Sequence, residues 1–228
     1  MGGPNLTVGT AWPGRIAEPA RPWLVFVCGV RGRGKSYRAC QVLNAWPGLS
    51  VAVDPVAPAV PVAGYPAFHA TAWSHDLDGV LVPDDREPFG ARLPGGVDLV
   101  VVDEADRWLR QGRAPHPVLF DLTVRGRHRG VSMLLLTQRP SMLDYTCWAQ
   151  MGQLVCFTLT ARRDRARVAE QHPDLEDLAD LLPFLPVGVS VEWSIVEGIK
   201  PGRVELLREL RNVYRVKLPR AVLAQVER

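Results

Sequence analysis

The stretch that most constrains this chain runs from Trp23 to Ser36, WLVFVCGVRGRGKS. Its first six residues, Trp23 to Cys28, are all apolar, the pattern of a strand buried on both faces of a sheet. The next eight, Gly29-Val30-Arg31-Gly32-Arg33-Gly34-Lys35-Ser36, fit G-x-x-x-x-G-K-[ST]. That spacing suits a phosphate. Glycines in the loop let the backbone bend tightly and turn successive N–H groups into one concavity. A helix opening near Gly34 adds the positive end of its dipole. Lys35 can reach the outer phosphates of a triphosphate, and the Ser36 hydroxyl can ligate Mg²⁺. The competing reading is a glycine-rich turn with an accidental Lys-Ser. The buried strand before the loop and the helix-compatible residues 37–45 after it argue against that. The phosphate-binding set is then Gly29, Val30, Arg31, Gly32, Arg33, Gly34, Lys35, Ser36 and Tyr37, with no role given to the Arg33 side chain. The implied cofactors are ATP and Mg²⁺.

The second constraint is Leu99-Val100-Val101-Val102-Asp103-Glu104. A buried strand ending in two carboxylates sets them at the rim of a parallel sheet, where a phosphate loop also lies. Asp103 is placed to hold Mg²⁺ through water, and Glu104 to polarise an attacking water. An acidic helix cap is the plainer alternative. A third buried strand is expected at residues 131–137, followed by Gln138. With the first strand central, it can lie between the two motif strands, so that Gln138 senses the γ-phosphate or holds the lytic water. A polar residue closing a strand is the bland reading of Gln138. The run Arg125-Gly126-Arg127-His128-Arg129-Gly130 is either a solvated basic face or the source of an arginine acting on a neighbouring subunit. Such an arginine neutralises charge on the transferring phosphoryl group.

Composition bounds the alternatives. A length of 228 residues suits one domain with a sizeable core, and the net charge of +3 permits a nucleic-acid partner without requiring one. The lysines are Lys35, Lys200 and Lys217, so nearly all positive charge is arginine; a GC-rich genome explains this most simply. Cys28, Cys40, Cys147 and Cys156 show no C-x-x-C spacing, which reads as four buried or half-buried thiols in a reducing compartment rather than a zinc site or disulfide frame. No apolar run approaches the ~18 residues that span a bilayer, and the N-terminus lacks a signal-peptide core.

Along the chain, residues 1–22 read as an arm and residues 23–228 as one domain. Helices are expected over residues 35–45, 70–81, 118–127, 142–151 and 161–171, with one or two turns at 105–111 and a further helix capped by Asp174. Its Leu175, Leu178, Leu181 and Leu182 form a core stripe. Strands are expected at 23–28, 50–53, 97–102, 131–137 and 154–159. Alternation of Val189, Val191, Trp193 and Ile195 with Ser190, Glu192 and Ser194 predicts a half-exposed strand near a sheet edge. Residues 204–214 read as amphipathic, and residues 55–97 are hardest to read. Strands alternating with helices predict an α/β fold, a mostly parallel central sheet with helices on both faces.

The run Arg127-His128-Arg129-Gly130-Val131-Ser132-Met133-Leu134-Leu135-Leu136-Thr137-Gln138-Arg139-Pro140-Ser141 resembles the R-x-x-G-strand-T-Q-R-P-S segment of the FtsK/HerA superfamily of DNA-pumping P-loop ATPases. With Gly29 to Ser36, Asp54 after the second strand, and Asp103-Glu104, the likeness covers about residues 23–157. It implies a RecA-like (ASCE-type) P-loop NTPase fold. The length leaves no room for an added DNA-reading domain or extra barrel, so the chain resembles the compact genome-packaging ATPases of tailless, membrane-containing icosahedral viruses. That resemblance implies double-stranded DNA as partner, a homo-oligomeric ring expected to be a hexamer, and capsid or membrane vertex proteins. It places the protein in the host cytoplasm or at the packaging vertex. Lys35, Glu104, Gln138, Arg127 and Arg129 are the expected catalytic residues, with Arg127 ahead of Arg129 as the finger, and Ser36 and Asp103 the metal set. Arg107, Arg110 and Arg113 are candidates for a pore lining or a solvated surface. Two other readings stand beside this one: an assembly or secretion ATPase of the filamentous-phage type, and a nucleotide-gated scaffold with little turnover.

Overall fold

The structure, a computed structural model, describes residues 23–56, 70, 72–83, 91–195 and 198–199. The expected arm at 1–22, the amphipathic stretch 204–214 and much of 55–97 lie outside those residues. Ten strands are described: β1 (Leu24–Cys28), β2 (Leu49–Val53), β3 (Ala72–Ser74), β4 (Val82–Pro83), β5 (Ala91–Arg92), β6 (Val97–Val102), β7 (Ser132–Thr137), β8 (Gln153–Cys156), β9 (Val191–Ser194) and β10 (Gly198–Ile199). The helices are α1 (Lys35–Ala45), α2 (Pro117–Arg125), α3 (Tyr145–Ala149), α4 (Arg162–Ala169) and α5 (Pro173–Ala179).

Among the described residues, eight strands form one sheet in the order β10-β9-β8-β1-β7-β6-β2-β3, and β4 pairs with β5 separately. The pairings from β8 through β3 are parallel, while β9 is antiparallel to both β8 and β10. The expected α/β architecture is therefore present. β7 does lie between β1 and β6, with Cys28 opposite Thr137 and Val102 opposite Leu135.

The all-apolar strands divide their side chains between two cores with the period of two a strand imposes. Leu24, Phe26 and Cys28 of β1 join Leu119, Leu122, Trp148, Val168, Leu175 and Leu178 from α2 to α5 on one face. Val25 and Val27 join Ala39, Val42 and Leu43 of α1 on the other. The leucine stripe of residues 175, 178, 181 and 182 is core as expected. All four cysteines are buried free thiols, and burial pushes the Cys40 and Cys147 thiols up to about 12. No helix among the described residues is long and apolar enough to cross a membrane.

Four expectations are corrected. No α-helix forms over 70–81: β3 extends the sheet beside β2, and a single 3₁₀ turn, Asp78–Val80, follows. Side chains there capture backbone donors that a helix would use. Asp76 N–H donates to Ser74 Oγ at 3.3 Å and Gly79 N–H to Asp76 Oδ1 at 2.7 Å. The helix expected from 142 starts only at Tyr145, because Asp144 caps it by accepting from Thr146 N–H at 2.8 Å. Asp174 is not the cap of α5. Pro173 holds the first helical position, so His172 caps and accepts from Asp174 N–H at 3.2 Å. The alternating stretch is buried on both faces over residues 189–194, with Ser190, Glu192 and Ser194 each 2–3% exposed, and Ile195 is exposed. From its polar side Glu192 reaches α1 and forms an ion pair with Arg38.

Candidate active site

In a parallel sheet the C-terminal ends of the strands share one rim, and the loop after β1 is seated there by backbone bonds. Gly29 N–H donates to Thr137 O at the tip of β7 (3.3 Å), and Val30 N–H to Thr158 O beyond β8 (2.9 Å). Gly188 N–H donates to Arg33 O (3.2 Å), which ties the loop to the turn before β9. Gly29 has φ 156° and a Cβ there would lie 2.7 Å from Phe157 Cβ, so only glycine fits. Gly34, at φ 113°, opens α1. Lys35 is 6% exposed and its ammonium donates to Val30 O at 3.2 Å, across the concavity. Burial lowers its pKa against the opposing pull of Asp103 and Glu104. Tyr37, in the first turn of α1, is exposed.

Two side-chain oxygens able to hold a cation meet at the end of β6. Ser36 Oγ donates to Asp103 Oδ2 at 2.8 Å, and Glu104 N–H donates to Asp103 Oδ1 at 2.8 Å. Burial pushes the Asp103 carboxyl up to about 6, and the charge of Asp54, buried at the end of β2, adds to this. The Ser36 and Glu104 N–H bonds and the Lys35 charge pull it back down. A hydroxyl and a carboxylate, both oxygen donors, fit a hard cation such as Mg²⁺.

Glu104 follows at φ 52°, ψ 45°, the one non-glycine residue at positive φ among the described residues. Left-handed backbone costs a side-chain-bearing residue about 1–2 kcal/mol, and such strain gathers where a site needs it. The turn aims the Glu104 carboxylate past the end of β7, where Gln138 Nε2 donates to Glu104 Oε1. Thr137 Oγ1 donates to Asp106 Oδ1 at 2.8 Å and accepts from Arg139 N–H at 3.0 Å. The loop, Lys35, Ser36, Asp103, Glu104 and Gln138 are thus brought together at one rim.

Arg127 and Arg129 are not brought there. They lie in the turn Gly126–Arg129, which leads into the N-terminal end of β7. β7 has six residues, so roughly 20 Å of strand separates them from Gln138. Arg129 Nη2 pairs with Asp121 Oδ2 at 2.7 Å, and Arg125 pairs with the same carboxylate at 3.3 Å. Arg127 is exposed and takes no carboxylate partner among the described residues. Of the three arginines after the acidic pair, Arg107 and Arg113 are exposed, while Arg110 packs its guanidinium on Met142 Sδ at 3.6 Å.

Three participants escaped the sequence reading. Asp106 anchors Thr137, Asp164 binds the segment after Gln138, and Arg38 joins α1 to β9. No sequence signal existed for Asp164, whose burial in α4 beside Val168 only the fold reveals. For Arg38 and Glu192, 154 positions apart, none existed either.

Sheet order, phosphate-type loop and the acidic strand end define an α/β P-loop NTPase fold. No protein-family model matches the chain, and no curated protein sequence matches it. Among solved structures, it is similar to B204, the DNA-packaging ATPase from Sulfolobus turreted icosahedral virus, with a TM-score of 0.60 at 16% identity, covering 79% of this chain and 97% of that one. The genome packaging NTPase B204 from Sulfolobus turreted icosahedral virus 2, in complex with ATPγS, gives a TM-score of 0.58 at 16% identity over 80% of this chain and 97% of that one. Its sulfate complex gives 0.58 at 17% identity over 79% and 95%. At these identities the likeness establishes the fold, and at that level it agrees with the FtsK/HerA-type resemblance read in the sequence.

Proposed function

We propose that the chain is an ATP-driven translocase of double-stranded DNA that packages a viral genome, hydrolysing ATP between the subunits of a ring at a capsid or membrane vertex. The observation that carries the reading is the contact of Gln138 with Glu104, one residue beyond the Asp103–Ser36 bond and beside the glycine loop. A binding switch has little use for a carboxylate held in strained backbone and aimed at a glutamine. Likeness of fold to B204 supports the choice of DNA packaging among P-loop NTPase activities.

In this reading the backbone N–H groups of Arg31 to Lys35 cradle the phosphates, and the Lys35 ammonium turns from Val30 O to the outer phosphates. Ser36 and Asp103 hold the Mg²⁺, which when bound neutralises charge developing on the phosphoryl oxygens. Glu104 orients the attacking water, and Gln138 holds Glu104 and reads whether a γ-phosphate is present. Arg127, too far from its own subunit's loop to serve it, acts on the neighbour's phosphates.

The test is ATP turnover of the full chain with and without double-stranded DNA across a salt series. DNA should raise turnover irrespective of its sequence, and the stimulation should fall steeply with salt as phosphate contacts are screened. Turnover indifferent to DNA in the assembled particle contradicts the translocase reading. Absence of any turnover contradicts the ATPase reading as well.

A further inference from the structure

We infer that Asp164 is a positioning residue: it clamps residues 139–141 and so fixes where Gln138 meets Glu104. The inference rests on the roles given to Gln138 and Glu104 above. Asp164 lies in α4, whose sequence RRDRARVA reads as a solvated charged helix, yet it is only 1% exposed. Its two oxygens accept three hydrogen bonds, and all three come from the segment directly after Gln138. Arg139 Nε donates to Oδ2 at 3.2 Å, Ser141 N–H to Oδ1 at 3.0 Å, and Ser141 Oγ to Oδ1 at 2.6 Å.

That segment needs an anchor. The β7 ladder ends at Thr137, so Gln138 has no strand partner to hold its backbone. On its N-terminal side Thr137 is fastened to Asp106, and on its C-terminal side the chain passes through Arg139 into a single 3₁₀ turn, Pro140–Met142. Trp148 Nε1 supports that turn by donating to Pro140 O at 3.2 Å. Asp164 supplies the charged part of the anchor, and a buried carboxylate satisfied by one guanidinium, one amide and one hydroxyl is held in a narrow geometry. Gln138 is thereby caught between two aspartates, Asp106 on the β6 side and Asp164 on the α4 side. The Arg and Ser of the T-Q-R-P-S run have a use of their own in this arrangement: they grip α4 so that the Gln stays on Glu104.

A plain staple between β7 and α4 makes a different prediction. It affects stability whether or not Gln138 is present, whereas a positioning residue slows the reaction only while there is a glutamine to position. The experiment is a double-mutant cycle on the full chain, with DNA-stimulated ATP turnover as readout. Ser141→Ala removes one of the three hydrogen bonds, that from Oγ, and keeps those from the backbone N–H of position 141 and from Arg139, so it is milder than Asp164→Ala, which serves as the second variant. In the wild-type background either change should lower kcat by roughly 10- to 100-fold with KM for ATP unchanged. In the Gln138→Ala background the same change should lower kcat less than about twofold. Equal losses in both backgrounds, or no loss in the first, overturn the inference. Amide hydrogen exchange gives a readout independent of activity: residues 138–142 should exchange faster in both variants, and unchanged exchange there overturns the inference too. A wild-type chain without turnover would contradict the proposed function alone, leaving the exchange result to decide on Asp164.

Discussion

At the C-terminal rim of the sheet the functional side chains are tied to one another, whereas at the N-terminal rim one arginine stands apart. Ser36 binds Asp103, Gln138 binds Glu104, Thr137 binds Asp106 and Arg139 binds Asp164. Across the length of β7, Arg125 and Arg129 share Asp121 while Arg127 faces solvent. On the proposed function the difference divides the work between the rims. A network of satisfied hydrogen bonds holds a fixed geometry, which is what in-line attack on a phosphate needs. An exposed cation remote from its own phosphate loop is available to a neighbouring molecule.

The largest expected effects lie at the tied rim. Lys35→Ala and Glu104→Gln should each reduce ATP turnover to background, with Glu104→Gln still binding nucleotide in an equilibrium assay; turnover retained by either breaks the comparison at its root. Next comes Arg127→Ala, which should lower turnover by ~10³-fold, the low end for a finger arginine, while leaving the melting temperature within a degree. A large loss of stability instead would mean that Arg127 serves its own fold.

A smaller effect sharpens what the tying costs. Asp103 has its folded-state carboxyl pKa raised to about 6, chiefly by burial. A raised carboxyl pKa means that the nucleotide-free fold is most stable with Asp103 protonated. That contribution is fully present below the unfolded value near 4 and is lost as pH rises through about 6. Asp103→Asn should therefore stabilise the nucleotide-free protein at pH 8, by about 2–3 kcal/mol, and flatten the fall in melting temperature between pH 4 and 7. No gain on substitution would mean that the site around Asp103 is better solvated than its 3% exposure indicates. The smallest effect belongs to Arg129→Ala. Its pair with Asp121 is partly exposed, so unfolding experiments should register a loss of no more than ~1 kcal/mol, with turnover changed less than Arg127→Ala changes it.

Legibility in the sequence followed the same division. β1, β6 and β7 could be read because each is an apolar run closed by a glycine, an acidic pair or Thr-Gln, and the sheet order that brings their ends together follows from parallel pairing around β1. The loop and the acidic pair were legible because phosphate chemistry demands residue types at fixed spacing. What failed depended on partners distant in sequence. The alternation in β9 normally marks a wet face, yet here Glu192 is neutralised by Arg38 from the helix above it. Asp164 could not be distinguished from its arginine neighbours without knowing that Ser141 and Arg139 cover it. The left-handed backbone of Glu104 leaves no mark on residue type, since nothing in the letter Glu announces it.

On the proposed function the two rims complete each other across subunits. Mixing Arg127→Ala chains with Glu104→Gln chains tests it most directly. Each alone should be inactive, and mixed assemblies should regain turnover, with a maximum at intermediate ratios where a sound Glu104 faces a neighbour's sound Arg127. Mixtures that stay inactive at every ratio, in particles whose mass shows both chains assembled together, would contradict it.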